Sequence, residues 1–412
     1  MSGRTVWIIN HYAQSPAGSG STRHYDLARH LRDLGWNTWI FAASVELNTQ
    51  KQRLEKHEHA RSETIGGVNF RWLKTPGYQG NGIGRMVNML AYSWQALVGK
   101  STADLEPPSL VIGSTVHPLA AASGALLARR YRVPFIFEVR DIWPETLIAF
   151  GRTRRNGPFA VLLGMLERWL CRQACRVVSV LPGYGNYVRD RNIPAREVVH
   201  IPNGVNLDNI GEPLAYRKQD TFRITYLGAH GTANDLQTLV RAMEIIELEH
   251  GIASIECHLV GAGPMKQALA DYCAERGMKQ VAFHPPVNKN AIAATASDTQ
   301  AFVLCGRKLP SLYKYGISMN KIPDYMAMGR PVIIAIESAN NPVIEADAGI
   351  CVPPEDPGEL AGSIMKMAQM SEAELRAMGL RGRRYVEQEH DMKLLAKRLG
   401  DVMEQCLVTN AG

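Results

Sequence analysis

Residues Tyr315–Ile336 read YGISMNKIPDYMAMGRPVIIAI. Pro323 limits where a helix can start, because proline lacks an N–H and is tolerated only among the first helical positions, whose N–H groups have no intrahelical partner. Asn320 as N-cap puts Pro323 third in the helix. The helix is then expected to run through Tyr325 and Met328 and to stop at Gly329-Arg330-Pro331. Val332–Ile336 is a continuous apolar run of the kind buried in a parallel sheet. A helix N-terminus, where free N–H groups favour anions, thus carries Asn320 and Lys321 at its mouth and Asp324 one turn inside. A cation beside free N–H groups suits a diphosphate, and a carboxylate a few ångströms away suits a ribose diol. Together they suit a nucleotide-sugar.

The alternation continues outward from this segment. In the first half, Val6–Asn10, Trp39–Ala43, Leu110–Ser114, Val133–Val139 and Val177–Leu181 read as strands. Helical patterns over Thr22–Leu34, Leu119–Tyr131 and Pro158–Arg176 lie between them. The span from Val45 to Leu105 is less regular; it holds a Val68–Leu73 strand, a Gly-rich loop and an amphipathic run over Met86–Val98. The pattern restarts after Asn203-Gly204 with strands at Arg223–Leu227, Ile255–Val260, Val281–His284 and Ala301–Cys305. Helices are expected at Leu236–His250 and Met265–Arg276, and a last helical stretch from Ser371 to about Leu407, broken near His390. Strands alternating with helices imply doubly wound parallel sheets.

The chain has 412 residues, which suits two or three domains. Residues 1–206 carry 25 Lys+Arg against 14 Asp+Glu, a net of +11, and the remainder carries 21 against 25, a net of −4. Two halves of opposite sign are expected to be separate domains with different partners. No nucleic-acid motif accompanies the basic half; an anionic membrane surface, a diphosphate-linked acceptor or a plain solvated face all fit it. No apolar run reaches the length of a transmembrane helix, and MSGRTVWIIN leads into a strand without a signal sequence. The seven cysteines lack metal-ligand spacing, and Cys171 and Cys175, one helical turn apart, read as idle thiols in a reducing cytoplasm. No Asp-x-Asp occurs in the sequence, so neither a metal nor another cofactor is expected.

Asp324-Tyr-Met-Ala-Met-Gly-Arg-Pro-Val332 resembles the second half of the acidic motif of the family-4 retaining glycosyltransferases, which have the GT-B fold. The first acidic position of that motif falls at Gly316. Gly316-Ile-Ser-Met-Asn-Lys321 is similar to the pattern of a subgroup that builds bacterial surface polysaccharides. Ile201-Pro-Asn-Gly-Val205, Leu259-Val-Gly-Ala-Gly-Pro264, Val133–Pro144 and Ala13–Leu31, with its Arg23-His-Tyr, also resemble family segments. The resemblance implies an α/β GT-B fold: two Rossmann-like doubly wound domains facing a central cleft. The first, an acceptor domain over 1–200, would be rejoined by a returning helix at about 390–412. The second, over 201–389, would bind the donor.

The resemblance also distributes roles. Gly18-Ser-Gly20-Ser-Thr22 becomes a donor-side loop. His117, after the Leu110–Ser114 strand, falls beside the donor sugar. The period of two puts Glu138 and Arg140 on one side of their strand and Asp141 on the other. Arg140 could grip an acceptor phosphate, Asp141 could orient or deprotonate an acceptor hydroxyl, and Glu145 and Arg23 complete the acceptor side. Equally, these charges could be an ion-paired network bracing the interdomain cleft. The loop after Leu227 contains His230 and Gly231 but no Arg or Lys, so phosphate binding is assigned to backbone N–H groups, His230 and cations elsewhere: Lys321 first, then Lys314 and Arg307. Asp324 takes the ribose, and Ser318 or Asn320 takes the place of the missing acidic residue at Gly316. The catalytic set is His117, Asp141 and Lys321. The implied reaction is a metal-independent, front-face retaining transfer from a nucleotide diphosphate sugar, UDP-linked by preference. The expected acceptor is a carbohydrate, such as a lipid-linked glycan, with peripheral contact at the inner membrane face through Met86–Val98 or Gly151–Leu170. Two alternatives stay open: a UDP-sugar epimerase of the same architecture, and a non-catalytic nucleotide-sugar-binding scaffold.

Overall fold

The computed structural model describes residues 4–411 apart from 18–20, 47–49, 79, 81, 116, 214, 288–291 and 296. The chain forms two compact units, Met1–Pro202 together with Met392–Gly412, and Asn203–Asp391.

The first unit is built on β1 (Arg4–Ile9), β2 (Trp36–Ala43), β3 (Ala60–Ile65), β4 (Val68–Leu73), β5 (Leu110–Thr115), β6 (Phe135–Val139), β7 (Arg176–Ser179) and β8 (Glu197–His200), in the spatial order β3-β4-β2-β1-β5-β6-β7-β8. Every neighbouring pair is parallel except β3–β4, a hairpin. The central strands β1, β5 and β6 are buried at every position except Arg4, as in sheets covered on both faces. Its longer helices before residue 202 are α1 (Arg23–Asp33), α2 (Ile83–Leu97), α3 (Pro118–Tyr131) and α4 (Pro158–Gln173). The edge strand β3, with exposed or half-buried residues throughout, is not in the sequence reading, because neither face provides an apolar alternation.

The second unit has β9 (Phe222–Leu227), β10 (Ile255–Val260), β11 (Val281–His284), β12 (Ala301–Cys305), β13 (Val332–Ala335) and β14 (Gly349–Val352), in the order β11-β10-β9-β12-β13-β14, all parallel. A short helix, α5 (Lys321–Ala327), links β12 to β13. Pro323 is its third residue, and the chain leaves it through Gly329, whose φ is +67°. The last helical stretch breaks at His390 into α6 (Glu372–Glu389) and α7 (Met392–Ala411).

α7 belongs to the first unit. Met392, Leu395, Ala396, Leu399, Val402, Met403 and Cys406 recur at helical spacing and join the core of Leu27, Leu31 and the strands. A disulfide between Cys175 and Cys406, with Cα atoms 6.0 Å apart, ties α7 to the start of β7. This corrects the reading of Cys175 as an idle thiol: its partner is 231 residues away in sequence, where no spacing pattern could show it. Cys171 remains a free, buried thiol.

Candidate active site

In an open parallel sheet, ligands gather at the carboxyl ends of the strands where the winding reverses. In the second unit the reversal falls at β9, which has β10 on one side and β12 on the other. The segments leaving β9 and β12 are the two stretches in which the sequence concentrates polar groups.

Tyr325 fixes one to the other. Its ring stacks on Phe302, with centroids 4.4 Å apart. Its hydroxyl accepts from the Leu227 N–H and donates to the Leu227 carbonyl, both at 2.8 Å. The start of α5 is thereby held against the end of β9. Lys321 runs over Gly228, and a Cβ on that residue would lie 2.1 Å from Lys321 Cε. Only glycine leaves room for this path. Lys321 Nζ donates to Asn234 Oδ1 at 2.9 Å and lies 5.3 Å from the centre of the Tyr226 ring. Asn234 is itself positioned by Nδ2 donating to the Ala229 carbonyl at 2.8 Å. Burial lowers the Lys321 ammonium to about 8, against the opposing pull of Asp324 one turn on.

His230 follows two residues after Gly228. Its backbone is fully paired: the N–H donates to the Ala262 carbonyl at 2.8 Å, and its carbonyl accepts from the Met265 N–H at 3.0 Å. The ring is fully buried, and among the described residues neither Nδ1 nor Nε2 has a hydrogen-bond partner. Burial, with Lys266 and Lys321 nearby, lowers it to about 4, so the imidazole is neutral near pH 7. Lys266 is engaged, donating to the carbonyls of Gly261 at 3.0 Å and His284 at 2.6 Å. A buried, unpaired polar ring costs free energy unless something completes it. Beside two ammonium groups, the group that best completes it is an anion.

The remaining donor-side residues divide. Asn320 is the exposed cap residue of α5, and its side chain makes no capping bond. Lys314 is exposed, with Nζ 4.7 Å from the Tyr315 ring centre. Gly231 opens the short 3-10 turn Thr232–Asn234. Gly18 and Gly20 lie outside the described residues. Ser318 is held by Asn203: its Oγ accepts from the Asn203 N–H at 3.1 Å and its carbonyl from Asn203 Nδ2 at 2.6 Å. It anchors the chain entering this unit, and His390 Nδ1, 2.7 Å from the Asn203 carbonyl, holds the same residue.

In the first unit the winding reverses at β1, between β2 and β5. Here several expected functional residues serve the fold instead. Arg23, expected to contact acceptor, is buried: Nε donates to Glu138 at 3.0 Å, and its terminal nitrogens donate to the carbonyls of Ile201 and Pro202. Burial alone would raise Glu138; His24, Arg23 and Arg140 overcome it and hold the carboxyl well below the usual range. His24 completes the pair, with Nε2 at 2.7 Å from Glu138 and Nδ1 at 2.7 Å from Asn10 Nδ2. Glu145, also expected on the acceptor, is buried and accepts from Arg155 at 3.0 and 2.9 Å and from Arg191 at 2.7 Å. These residues make ion pairs within the first unit.

His117 is also buried in this unit. It caps α3, its Nδ1 accepting from the Ala120 N–H at 3.3 Å. Nε2 therefore carries the proton and donates to His11 Nδ1, 3.0 Å away. Burial, and then Arg85, lowers His117 to about 3. Both ring nitrogens have partners within the unit. Asp141 is exposed just past β6. Arg140 is half-buried and reaches Ser21 Oγ at 3.3 Å. Asn234, Tyr325 and His11 were missed. The first two lie in segments the sequence singled out, but their roles depend on partners 87 and 98 residues away.

Among the described residues, no group of three or more His, Cys, Asp or Glu is placed to hold a metal ion, and no helix is long and apolar enough to cross a membrane.

Two Rossmann-like parallel-sheet units define a GT-B glycosyltransferase fold. Residues 18–204 match the family described as glycosyl transferase 4-like domain, and residues 221–370 match glycosyl transferases group 1. The chain belongs to this family of glycosyltransferases. No curated protein sequence matches it. Among solved structures it is similar to a sucrose-phosphate synthase from Thermosynechococcus elongatus, at 19% identity and a TM-score of 0.76, covering 98% of this chain and 100% of that one. It is similar to HepE from Anabaena in complex with UDP and glucose, at 14% identity and a TM-score of 0.67, covering 98% and 99%. It is also similar to a trehalose-6-phosphate protein from E. coli bound with UDP-2-fluoro glucose, at 11% identity and a TM-score of 0.70, again covering 98% and 99%.

Proposed function

We propose that this glycosyltransferase uses a UDP-sugar, binds its diphosphate without a metal, and transfers the sugar with retention to a lipid-linked glycan in surface polysaccharide assembly. The observation that carries the donor side is the buried, unpartnered His230 ring beside Lys321, at the reversal point of the second sheet. A diphosphate would supply the acceptor atoms that His230 lacks and the negative charge that Lys321 favours. Asp324, one turn into α5, takes the ribose hydroxyls. Asn320 and Lys314 lie on the same side of the sequence motif and contact the sugar and phosphates. Two neighbours, HepE and the E. coli protein, were captured with UDP or a UDP-sugar, which supports uracil as the base. In the transfer, an acceptor hydroxyl oxygen bonds to the anomeric carbon as the carbon–phosphate oxygen bond breaks, and the departing diphosphate takes the hydroxyl proton. Asp141 orients that hydroxyl and Arg140 binds an acceptor phosphate. The peripheral membrane location follows from a lipid-borne acceptor.

The test is thermal shift with UDP, GDP, ADP and dTDP and their sugar conjugates, with and without EDTA, since a ligand that binds only the folded state raises its stability. A rise with UDP that survives EDTA and is lost in Asp324→Ala supports the reading. A rise only with another base, or only with added divalent metal, overturns that part of it. Anomeric configuration is read by NMR on the product of a turnover reaction with an acceptor extract; a UDP-sugar isomerised without acceptor would make the protein an epimerase.

A further inference from the structure

A surface helix ordinarily turns its apolar face inward. α2 does the reverse. Its buried residues are Asn88, Tyr92 and Ala96, while Ile83, Met86, Val87, Leu90 and Trp94 are exposed, Ile83 at 81% and Trp94 at 70%. These five positions recur at helical spacing and form one outward stripe. α4 repeats the arrangement at its N-terminal half, where Phe159, Val161, Leu162 and Met165 are exposed. Between the two helices lies a groove of about 750 Å³ within the first unit, lined mostly by apolar atoms, with Met86 and Leu90 from α2, Leu162 and Met165 from α4, and Leu119 and Leu147 among the residues completing it. Contiguous apolar surface on this scale marks a binding face.

Two further features say what the groove takes. It runs to His117, Pro118 and Trp143, just past the carboxyl ends of β5 and β6, the end of the sheet where the acceptor is expected. Its charged lining residues, Arg85 and Arg152, are both cationic. No Asp or Glu occurs anywhere in α2 or from Thr146 to Leu166. A second copy of the chain seated face to face would bring these arginines against each other with no carboxylate between them. An amphiphile with a hydrocarbon chain and an anionic head meets both halves of the surface.

We propose that the groove between α2 and α4 holds the hydrocarbon chain of a phosphate-bearing lipid carrier, with Arg152 and Arg85 at its phosphate end. This rests on the reading of a lipid-borne acceptor and gives it a location: the chain lies along the first unit and presents its phosphate toward the ends of β5 and β6.

The probe is farnesyl phosphate, used below its aggregation concentration, with UDP as an internal control. Binding is followed by fluorescence, since Trp143 lines the groove, and by calorimetry. The expected result is saturable one-to-one binding. It should weaken at least tenfold in Leu162→Glu and in Met165→Glu, and remain unchanged in Val408→Glu, an exposed apolar position on α7. Arg152→Glu should weaken farnesyl phosphate but not farnesol. The UDP response should persist in all four variants; if it is absent even in the wild type, the donor reading fails and this one is judged separately by farnesyl phosphate. Failure of farnesyl phosphate to bind, or equal binding by Leu162→Glu, overturns the proposal. So does binding only to phosphatidylglycerol vesicles, which would make the face a membrane-docking surface, or a concentration-dependent dimer that Leu162→Glu dissociates, which would make it a self-interface.

Discussion

Replacing Gly228 with alanine tests the geometry of the donor site without touching any group proposed to bind substrate. The new Cβ would sit 2.1 Å from Lys321 Cε and 3.2 Å from the Tyr226 hydroxyl. Lysine Cε is near the end of a flexible side chain, so it is Lys321 that gives way, moving outward and leaving its contact with Asn234. The backbone at Gly228 has φ +155°, and alanine there costs about 1–3 kcal/mol of strain. That lowers Tm by several degrees and leaves a folded protein. A charge-assisted hydrogen bond to phosphate contributes about 1.5–3 kcal/mol, so Lys321→Ala should weaken UDP roughly 10- to 150-fold. Gly228→Ala, by displacing the same ammonium, should lose most of that factor. The two changes remove one interaction, so the double variant should bind UDP about as weakly as Lys321→Ala alone, a coupling that a double-mutant cycle by calorimetry reads directly. Additive losses would show that Gly228 acts through the backbone and not through Lys321. An unchanged Kd in Gly228→Ala would refute the placement of Lys321 at the phosphates.

Three further outcomes are expected. UDP affinity should be steady from pH 6 to 7.5 and fall as pH rises through about 8, where burial places the Lys321 ammonium, because only the protonated form attracts the anion; His230, neutral above about 4, does not titrate in that range. Without ligand the sign reverses: a lysine whose folded-state value is depressed binds fewer protons than in the unfolded chain between about 8 and its ordinary value, so its contribution to stability rises with pH there. A calorimetric pH series flat to pH 9.5 would contradict this. Arg23→Met should lower stability by about 3–5 kcal/mol, the cost of stranding one partner of a buried pair, measured by chemical denaturation; a stable variant with only weakened acceptor binding would restore Arg23 to the acceptor site. Reduction of Cys175–Cys406, or Cys406→Ala, should lower Tm under otherwise identical conditions, the chain-entropy ceiling for closing so long a loop being about 5 kcal/mol, whereas an unchanged Tm would mean the bond is not formed in solution.

Much of the fold is legible in the sequence because its signals are local. Pro323 and Gly329 bound α5 wherever the rest of the chain goes, and the apolar runs Leu110–Ile112 of β5 and Val332–Ala335 of β13 suit a sheet covered on both faces. The break at His390 and the restart after Gly204 are equally local. The edge strand β3 is not legible, since its residues are polar on both faces, and neither is the outward turn of the α2 stripe: helical spacing shows that Met86, Leu90 and Trp94 share a face, and only the packing of Tyr92 and Asn88 shows which way that face points.

The site residues were harder to read for one reason. Arg23, His117, Glu145 and Ser318 are the residue types that bind and catalyse, and each has its polar atoms taken by partners in its own unit: Glu138, His11, Arg191 and Asn203. Those partners lie 46 to 115 residues away, so no motif contains them both. A signal was present in one case: Glu138 sits inside the apolar strand Phe135–Val139, and a carboxylate in such a strand must be paired, which makes a nearby arginine structural before it is anything else. His230 is the opposite case. Its ring is as buried as that of His117, yet the fold supplies no partner to either nitrogen. The polar group that folding leaves incomplete is the one a ligand can complete, so substitution at Arg23 or Glu145 should register in stability, and substitution at His230 in affinity for the donor.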